Sequence, residues 1–318
     1  KPNLSSGGRK ECKMEIPDYF EKIGFHFSPY QTNLPDDVWL HNYIFRDKDW
    51  RSQRILHPRV EGGKAVEIGL VHYATKEQDE AAAIQVSLKE FKKAKIHYPN
   101  GIWKDRFERM LDEIPLVVSQ GISGLKRINF FDTEANTQED CELQLDGIKA
   151  PTTGYSDLIN DQYVLEIKTK WRGDDKFNPD GTPKILKTGK NKGQPAQPSK
   201  GSIPNKPPKE WLRQVSFYAK ATEKEPVILC ANDVECRLFR YLPEDRQNQD
   251  HCWELDPRKI EQSMEQLQII QKVRQNLLSM STNPYQLAKI ITPDFSSYYW
   301  NDLDEDEFEE AVGLWKNI

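Results

Sequence analysis

Apolar positions follow two different rhythms along this chain. Residues 64–95 are helical in composition, with Ala81–Ala83, Ile84, Leu88 and Phe91 as a candidate buried stripe. After the break Pro99-Asn100-Gly101, a second helix is predicted over 103–112. From 115 to 170 the texture reads as strand: IPLVVSQGI, INFFD, CELQLDGI, GYSDLI and YVLEIKTK. A second hairpin is predicted over 227–241, with a helix at 210–222 before it. Asp256-Pro257 marks a helix start, a capping acid followed by proline at the first helical position. Ile260, Met264, Leu267, Ile270, Val273 and Leu277 then recur at helical spacing. The stretch DLDEDEFEE at 302–310 predicts a solvated acidic helix with Phe308, Val312 and Trp315 on its inner side. Near the start, a Ser-, Gly- and Lys-rich tail (1–13) precedes aromatics Tyr19, Phe20, Phe25, Phe27, Trp39, Tyr43, Phe45 and Trp50. These predict a short helical module beginning near Ser28 or Asp36-Asp37. The expected architecture is α/β, a mixed sheet flanked by helices, and no internal repeat is visible. The expected divisions are a tail and helical module (1–63), a core (64–241) and a C-terminal helical module (242–318).

The 318 residues carry a net charge of −5, with 30% charged and 37% hydrophobic residues. Such a chain is no polycation, so binding to nucleic acid has to come from local patches. One patch stands out. The segment 172–209 holds nine Lys/Arg against three Asp, with seven prolines and few apolar residues. It reads as a mobile basic insertion, with Lys184, Lys187, Lys190 and Lys192 as candidate phosphate contacts. No apolar run reaches the length of a membrane span and no signal peptide is visible. The start at Lys1-Pro2 without Met reads as trimmed. Five scattered cysteines (Cys12, Cys141, Cys230, Cys236 and Cys252) without a CxxC suggest reduced thiols in an intracellular compartment and argue against an iron–sulfur cluster.

The candidate chemistry lies in GYSDLINDQYVLEIK, residues 154–168. Asn160-Asp161 is a turn signal between two strand-like runs. With the turn centred there, Asp157 falls opposite Val164, and Glu166 and Lys168 share its face of the sheet. Two carboxylates held close repel, and a divalent cation resolves the repulsion. Oxygen donors select Mg²⁺ or Mn²⁺, and a lysine beside such an ion suits phosphodiester hydrolysis. The plainer reading is a surface hairpin with a Glu–Lys cross-strand pair. The flanks bear on the choice. Upstream, EIGLVHYA carries His72 on a predicted helix. Downstream, EWLRQVSFYAKA carries Gln214 and Tyr218 four apart, on one helical face.

In this order, His72, Gly154 to Asp157, Glu166-Ile167-Lys168 and Gln214 to Tyr218 resemble the RecB-like branch of the PD-(D/E)XK nucleases, over residues 64–241. That branch includes Cas4-type, mitochondrial genome maintenance and phage exonucleases. The resemblance implies a restriction-endonuclease-like core. It implies Asp157, Glu166, His72 and the Ile167 carbonyl as metal ligands, and Lys168 to position the water. Gln214 and Tyr218 would steady the strands and the substrate. The chain departs from the pattern where Gly69 lies three residues before His72 rather than four. If His72 is not the ligand, Glu67 or Glu77 can take its place. Past the site, Trp171 is a candidate base-stacking residue and Lys170 a candidate phosphate contact.

The implied activity is metal-dependent DNA exonuclease, acting in recombination, repair or replication beside partners of those processes. A flap or branched-DNA endonuclease and an inactive nucleic-acid-binding module are the alternatives. The implied location is the cytoplasm of a bacterium or phage-infected host, or an organelle. No Walker-type loop is present, which argues against ATP-driven translocation by this chain.

Overall fold

The computed structural model describes residues 26–46, 57–76, 78–94, 101–131, 136–137, 139–174, 182, 184–196, 199–281, 283–300, 303 and 305–316. The fold is mixed α/β, just over half helical, with small mixed sheets and no barrel. Among the described residues no helix is long and apolar enough to cross a membrane. The tail at 1–13, Tyr19, Phe20, Phe25 and Trp50 lie outside the described residues.

The helices are α1 (Asp36–Leu40), α2 (Pro58–Thr75), α3 (Glu80–Lys93), α4 (Gly101–Arg127), α5 (Lys209–Thr222), α6 (Pro257–Met280), α7 (Pro284–Ala288) and α8 (Glu305–Lys316). The strands are β1 (Asn136–Thr137), β2 (Asp140–Leu143), β3 (Thr152–Tyr155), β4 (Leu158–Ile159), β5 (Tyr163–Thr169), β6 (Glu225–Ala231) and β7 (Cys236–Phe239). The main sheet runs β1-β4-β5-β6-β7, and β2 and β3 form a separate two-stranded ladder. β4 and β5 are antiparallel, as are β6 and β7, whereas β5 and β6 are parallel. A parallel neighbour requires a crossover, and α5 supplies it.

Local chemistry sets the helix starts. Asp79 accepts the Ala81 and Ala82 N–H groups at 2.9 and 3.3 Å ahead of α3. Asp256 accepts the Arg258 N–H at 2.9 Å ahead of α6, with Pro257 in the first turn as expected.

One stretch departs from its expected state. IPLVVSQGI (114–122) is not a strand but the second half of α4, which continues through Pro115. Met110, Ile114, Val117, Val118, Ile122 and Leu125 are all buried, and their spacing is helical. The β-branched run masks that period, and Ile128–Phe131 of INFFD form a turn rather than a strand, with Asp132 outside the described residues. α6 departs in a smaller way. Its inner face holds Ile260, Met264, Leu267, Gln271, Arg274, Gln275 and Leu278, while Val273 is exposed.

The sheet has two dressed faces. On one, Leu165 and Ile167 of β5 pack with Val66, Leu70, Val117 and Ile122 of α2 and α4. On the other, Ile159 and Val164 pack with Phe217 and Tyr218 of α5 and with Met264 and Leu267 of α6. Glu166 and Lys168 alternate with Leu165 and Ile167, so they belong to the α5 face. The two helical modules, separate in the sequence, share one cluster, in which Trp39, Leu40 and Ile44 meet Leu278, Leu287, Trp300 and Ala311. Arg274 ties them together. Fully buried, it donates to the Gln31 and Leu34 carbonyls at 2.6 Å each, pairs with Asp36 and lies over the Trp39 ring.

Candidate active site

The β4–β5 turn sets the geometry. Asn160 Oδ1 accepts the Gln162 and Tyr163 N–H groups at 2.9 and 2.7 Å, and its amide donates to the Phe130 carbonyl. This wider turn moves the register two residues from the expected one. Leu158 pairs with Leu165 and Ile159 with Val164, so Asp157 projects opposite Glu166 rather than Val164. A shift of two preserves face parity, so the expected convergence of Asp157, Glu166 and Lys168 survives a wrong register. Asp157 stands in the bend between β3 and β4, where its Oδ2 accepts the Ile167 N–H at 2.6 Å.

Glu166 is 2% exposed and its Oε1 pairs with Lys168 Nζ. The other oxygen, Oε2, is buried without a hydrogen-bond partner among the described residues. Lys168 Nζ also donates to Gln214 Oε1 at 3.1 Å, and Gln214 Nε2 donates to the Tyr218 hydroxyl at 3.3 Å. A continuous chain therefore runs Glu166–Lys168–Gln214–Tyr218, from β5 to α5. Gly154 makes room for its last member. A Cβ there would lie 3.1 Å from Tyr218 Cε1 and 3.3 Å from its hydroxyl.

The electrostatics are those of crowded acids. Burial raises the Asp157 carboxyl well above its ordinary range, and the charges of Glu166 and Glu67 raise it further. Burial also raises Glu166. Burial opposes the charge on Lys168, but Glu166 and Asp157 outweigh it and hold the lysine firmly protonated. The Tyr218 phenol is pushed far up by burial and by the two carboxylates.

Glu67 of α2 acts on Asp157, Glu166 and Lys168 alike. His72 does not figure among the groups that shift them; it sits five residues on, about 140° further round the helix. One turn before Glu67, Gly63 approaches Thr169 at the end of β5, which aims this face of α2 at the strand. Glu77 lies outside the described residues.

Trp171 requires a correction. It is only 9% exposed and packs in the core with α2 and α4, where Gly62 leaves space for its ring. It has no free face for a base. Lys170 lies over the ring of Trp211 at 5.0 Å, a partly exposed tryptophan of α5 three residues before Gln214. Sequence reasoning misses that tryptophan, though its spacing places it on the Gln214 face.

The described part of the basic insertion carries backbone hydrogen bonds of its own. Leu186 N–H donates to the Gln194 carbonyl and Gly193 N–H to the Leu186 carbonyl, each at 2.9 Å, which closes a small hairpin. Lys184, Lys187, Lys190 and Lys192 are all exposed on it. Residues 175–181, with Lys176 among them, lie outside the described residues. Cys141, Cys230, Cys236 and Cys252 are free thiols, and burial pushes Cys230, Cys236 and Cys252 up to about 12.

Among the described residues no three or more His, Cys, Asp or Glu side chains already form a metal-holding group. The donor set nonetheless suits a hard cation: two oxygen-bearing side chains crowded together, one with an orphaned oxygen. Comparisons with protein families, with curated proteins and with solved structures found no match.

Proposed function

We propose that the chain is a metal-dependent deoxyribonuclease, an exonuclease acting on DNA ends, built on a restriction-endonuclease-like core. The observation that carries the reading is the Glu166–Lys168–Gln214–Tyr218 chain beside Asp157, contributed by β5, the bend before β4 and the crossover helix. The motif order is legible in the sequence, but the hydrogen bonds between its members are not. A surface hairpin with a simple ion pair has no need of a buried glutamate with an unpartnered oxygen.

Asp157, Glu166 and the Ile167 carbonyl would hold Mg²⁺ or Mn²⁺, with Glu67 as the helix-borne acid in preference to His72. When bound, the ion polarises a phosphoryl oxygen and lowers the pKa of a coordinated water. Lys168, kept charged by the carboxylates, would orient the attacking water and face the developing negative charge. Gln214 fixes the lysine ammonium through its carbonyl oxygen. Tyr218 holds the Gln214 amide, and its raised pKa keeps the phenol neutral and excludes it as a base. DNA is the proposed partner, in recombination, repair or replication.

The test uses end-labelled linear single-stranded DNA beside a circle of the same sequence, with Mg²⁺, Mn²⁺ or EDTA. Metal-dependent loss of the linear strand alone supports the exonuclease. Cutting of the circle points to an endonuclease. No cleavage of either strand, nor of duplex and flap substrates, leaves a binding module.

A further inference from the structure

Just past the candidate site, the chain gathers a second set of charges of opposite sign. Asp174, six residues beyond Lys168, is approached by three arginines. Arg106 donates Nε to its Oδ1 at 2.7 Å and pairs through Nη2 with Oδ2. Arg109 Nη2 reaches Oδ1 at 3.3 Å, and Arg59 Nη2 stands 3.8 Å from Oδ2. Arg59 comes from the first turn of α2, Arg106 and Arg109 from α4. Glu113 takes part of this charge, its Oε1 standing 3.3 Å from Arg109 Nε, but the three guanidiniums carry about fifteen donors, more than two carboxylates can accept. Arg59 shows the shortfall. It is beyond hydrogen-bond distance of Asp174, gives Nη2 to the Arg172 carbonyl at 3.1 Å, and has its Nε buried with no acceptor among the described residues.

The cations also strain against one another. Burial lowers the Arg59 pKa, and Arg106 lowers it further. Burial and the same two arginines push His57 down to about 4, which keeps it neutral beside them. Asp174 belongs to no helix or strand, and its side chain is one third exposed. Arg106, by contrast, is 6% exposed and held on α4. Arg106 is thus the anchored member of the cluster, and Asp174 the member carried on irregular chain.

We propose that Arg59, Arg106 and Arg109 form a seat for a phosphate of the bound strand, and that Asp174 fills it in the free protein as an internal stand-in. The proposal deepens the nuclease reading and rests on it for the identity of the ligand. A phosphate brings at least two acceptor oxygens and full charge to a fork-shaped donor array. The seat lies within about 20 Å of extended chain from Lys168, a few nucleotides from the candidate site.

The test is the Kd for a fluorescein-labelled single-stranded oligonucleotide, read by anisotropy in EDTA so that nothing is cleaved. Asp174→Asn removes the competitor and is expected to tighten binding about threefold or more. Arg59→Gln removes a seat cation and is expected to weaken it by a similar factor. Glu254→Gln is the control, since it frees Lys206 at the other end of the insertion without touching the seat. Tightening by D174N with weakening by R59Q supports the seat. An unchanged or weaker Kd in D174N, an unchanged Kd in R59Q, or an equal gain in E254Q overturns it. If D174N fails to melt cooperatively, R59Q and the control decide. Because cleavage plays no part in this readout, failure of the nuclease reading shows up separately, as loss of metal-dependent hydrolysis with the binding pattern intact.

Discussion

The two charge clusters at the end of β5 are near mirror images. Around Asp157 and Glu166, with Glu67 behind them, one lysine answers three acids. Around Asp174, with Glu113 beside it, two carboxylates answer three arginines. Each is short of the opposite charge, and each shows the shortage as a buried polar atom without a hydrogen-bond partner among the described residues, Glu166 Oε2 in the first and Arg59 Nε in the second. Ion pairs that serve stability alone tend toward balance, because an uncompensated buried charge is costly. The difference between the clusters is which charge is missing. The first lacks a cation and the second an anion, and a metal-bound phosphodiester strand would bring both.

The largest expected effect breaks the acidic cluster. Asp157→Ala, Glu166→Ala and Lys168→Ala should each cut the cleavage rate by about 10³-fold or more, with circular dichroism unchanged. Full activity in any one of them removes the site. Next comes the choice between helix residues. Glu67→Gln should lower activity by roughly 10–100-fold and His72→Ala by far less; the reverse order of the two would return His72 to the site.

Gly154→Ala sharpens the packing side. Its Cβ would crowd the Tyr218 ring, so a stability loss of about 1–3 kcal/mol is expected, measured by urea unfolding, together with reduced turnover. Asp157→Asn should then raise the melting temperature of the metal-free protein at neutral pH while abolishing activity. Burial and Glu166 raise the folded-state pKa of Asp157 above its unfolded value. The folded protein therefore holds this proton to higher pH than the unfolded chain, and stability falls as pH climbs from about the ordinary carboxylate value through the folded one. Asparagine removes that slope; a melting temperature equal to or below wild type contradicts the crowded-acid account. The smallest effect belongs to the insertion. Replacing Lys187, Lys190 and Lys192 with serine should weaken strand binding modestly and flatten its log–log salt slope, by roughly 0.7 for each phosphate that is no longer neutralised.

What could be read in advance follows from how local the signals are. The chemistry of β5 and the helix face of Gln214 and Tyr218 are set by periods of two and four residues, which survive even a register error of two. The 114–122 segment shows where such reading fails. β-branched residues dominate the local composition, but packing against α2 and the sheet selects the helix, and Pro115 does not stop it. Burial of Trp171 depends on Gly62 and Met110, more than fifty residues away. The arginine seat is invisible in the sequence for the same reason, since Arg59, Arg106, Arg109 and Asp174 are brought together only by tertiary structure. Glu67 can be named from the sequence only as an alternative to His72, because nothing in the linear spacing shows which side of α2 meets β5.

The most direct test of the central claim, that the acidic cluster is one cation short, is a Mn²⁺ titration followed by electron paramagnetic resonance on the wild type and on Glu166→Gln, without DNA. The account predicts at least one bound ion in the wild type, lost or strongly weakened in the variant. Equal binding in both proteins, or none in the wild type, would contradict it.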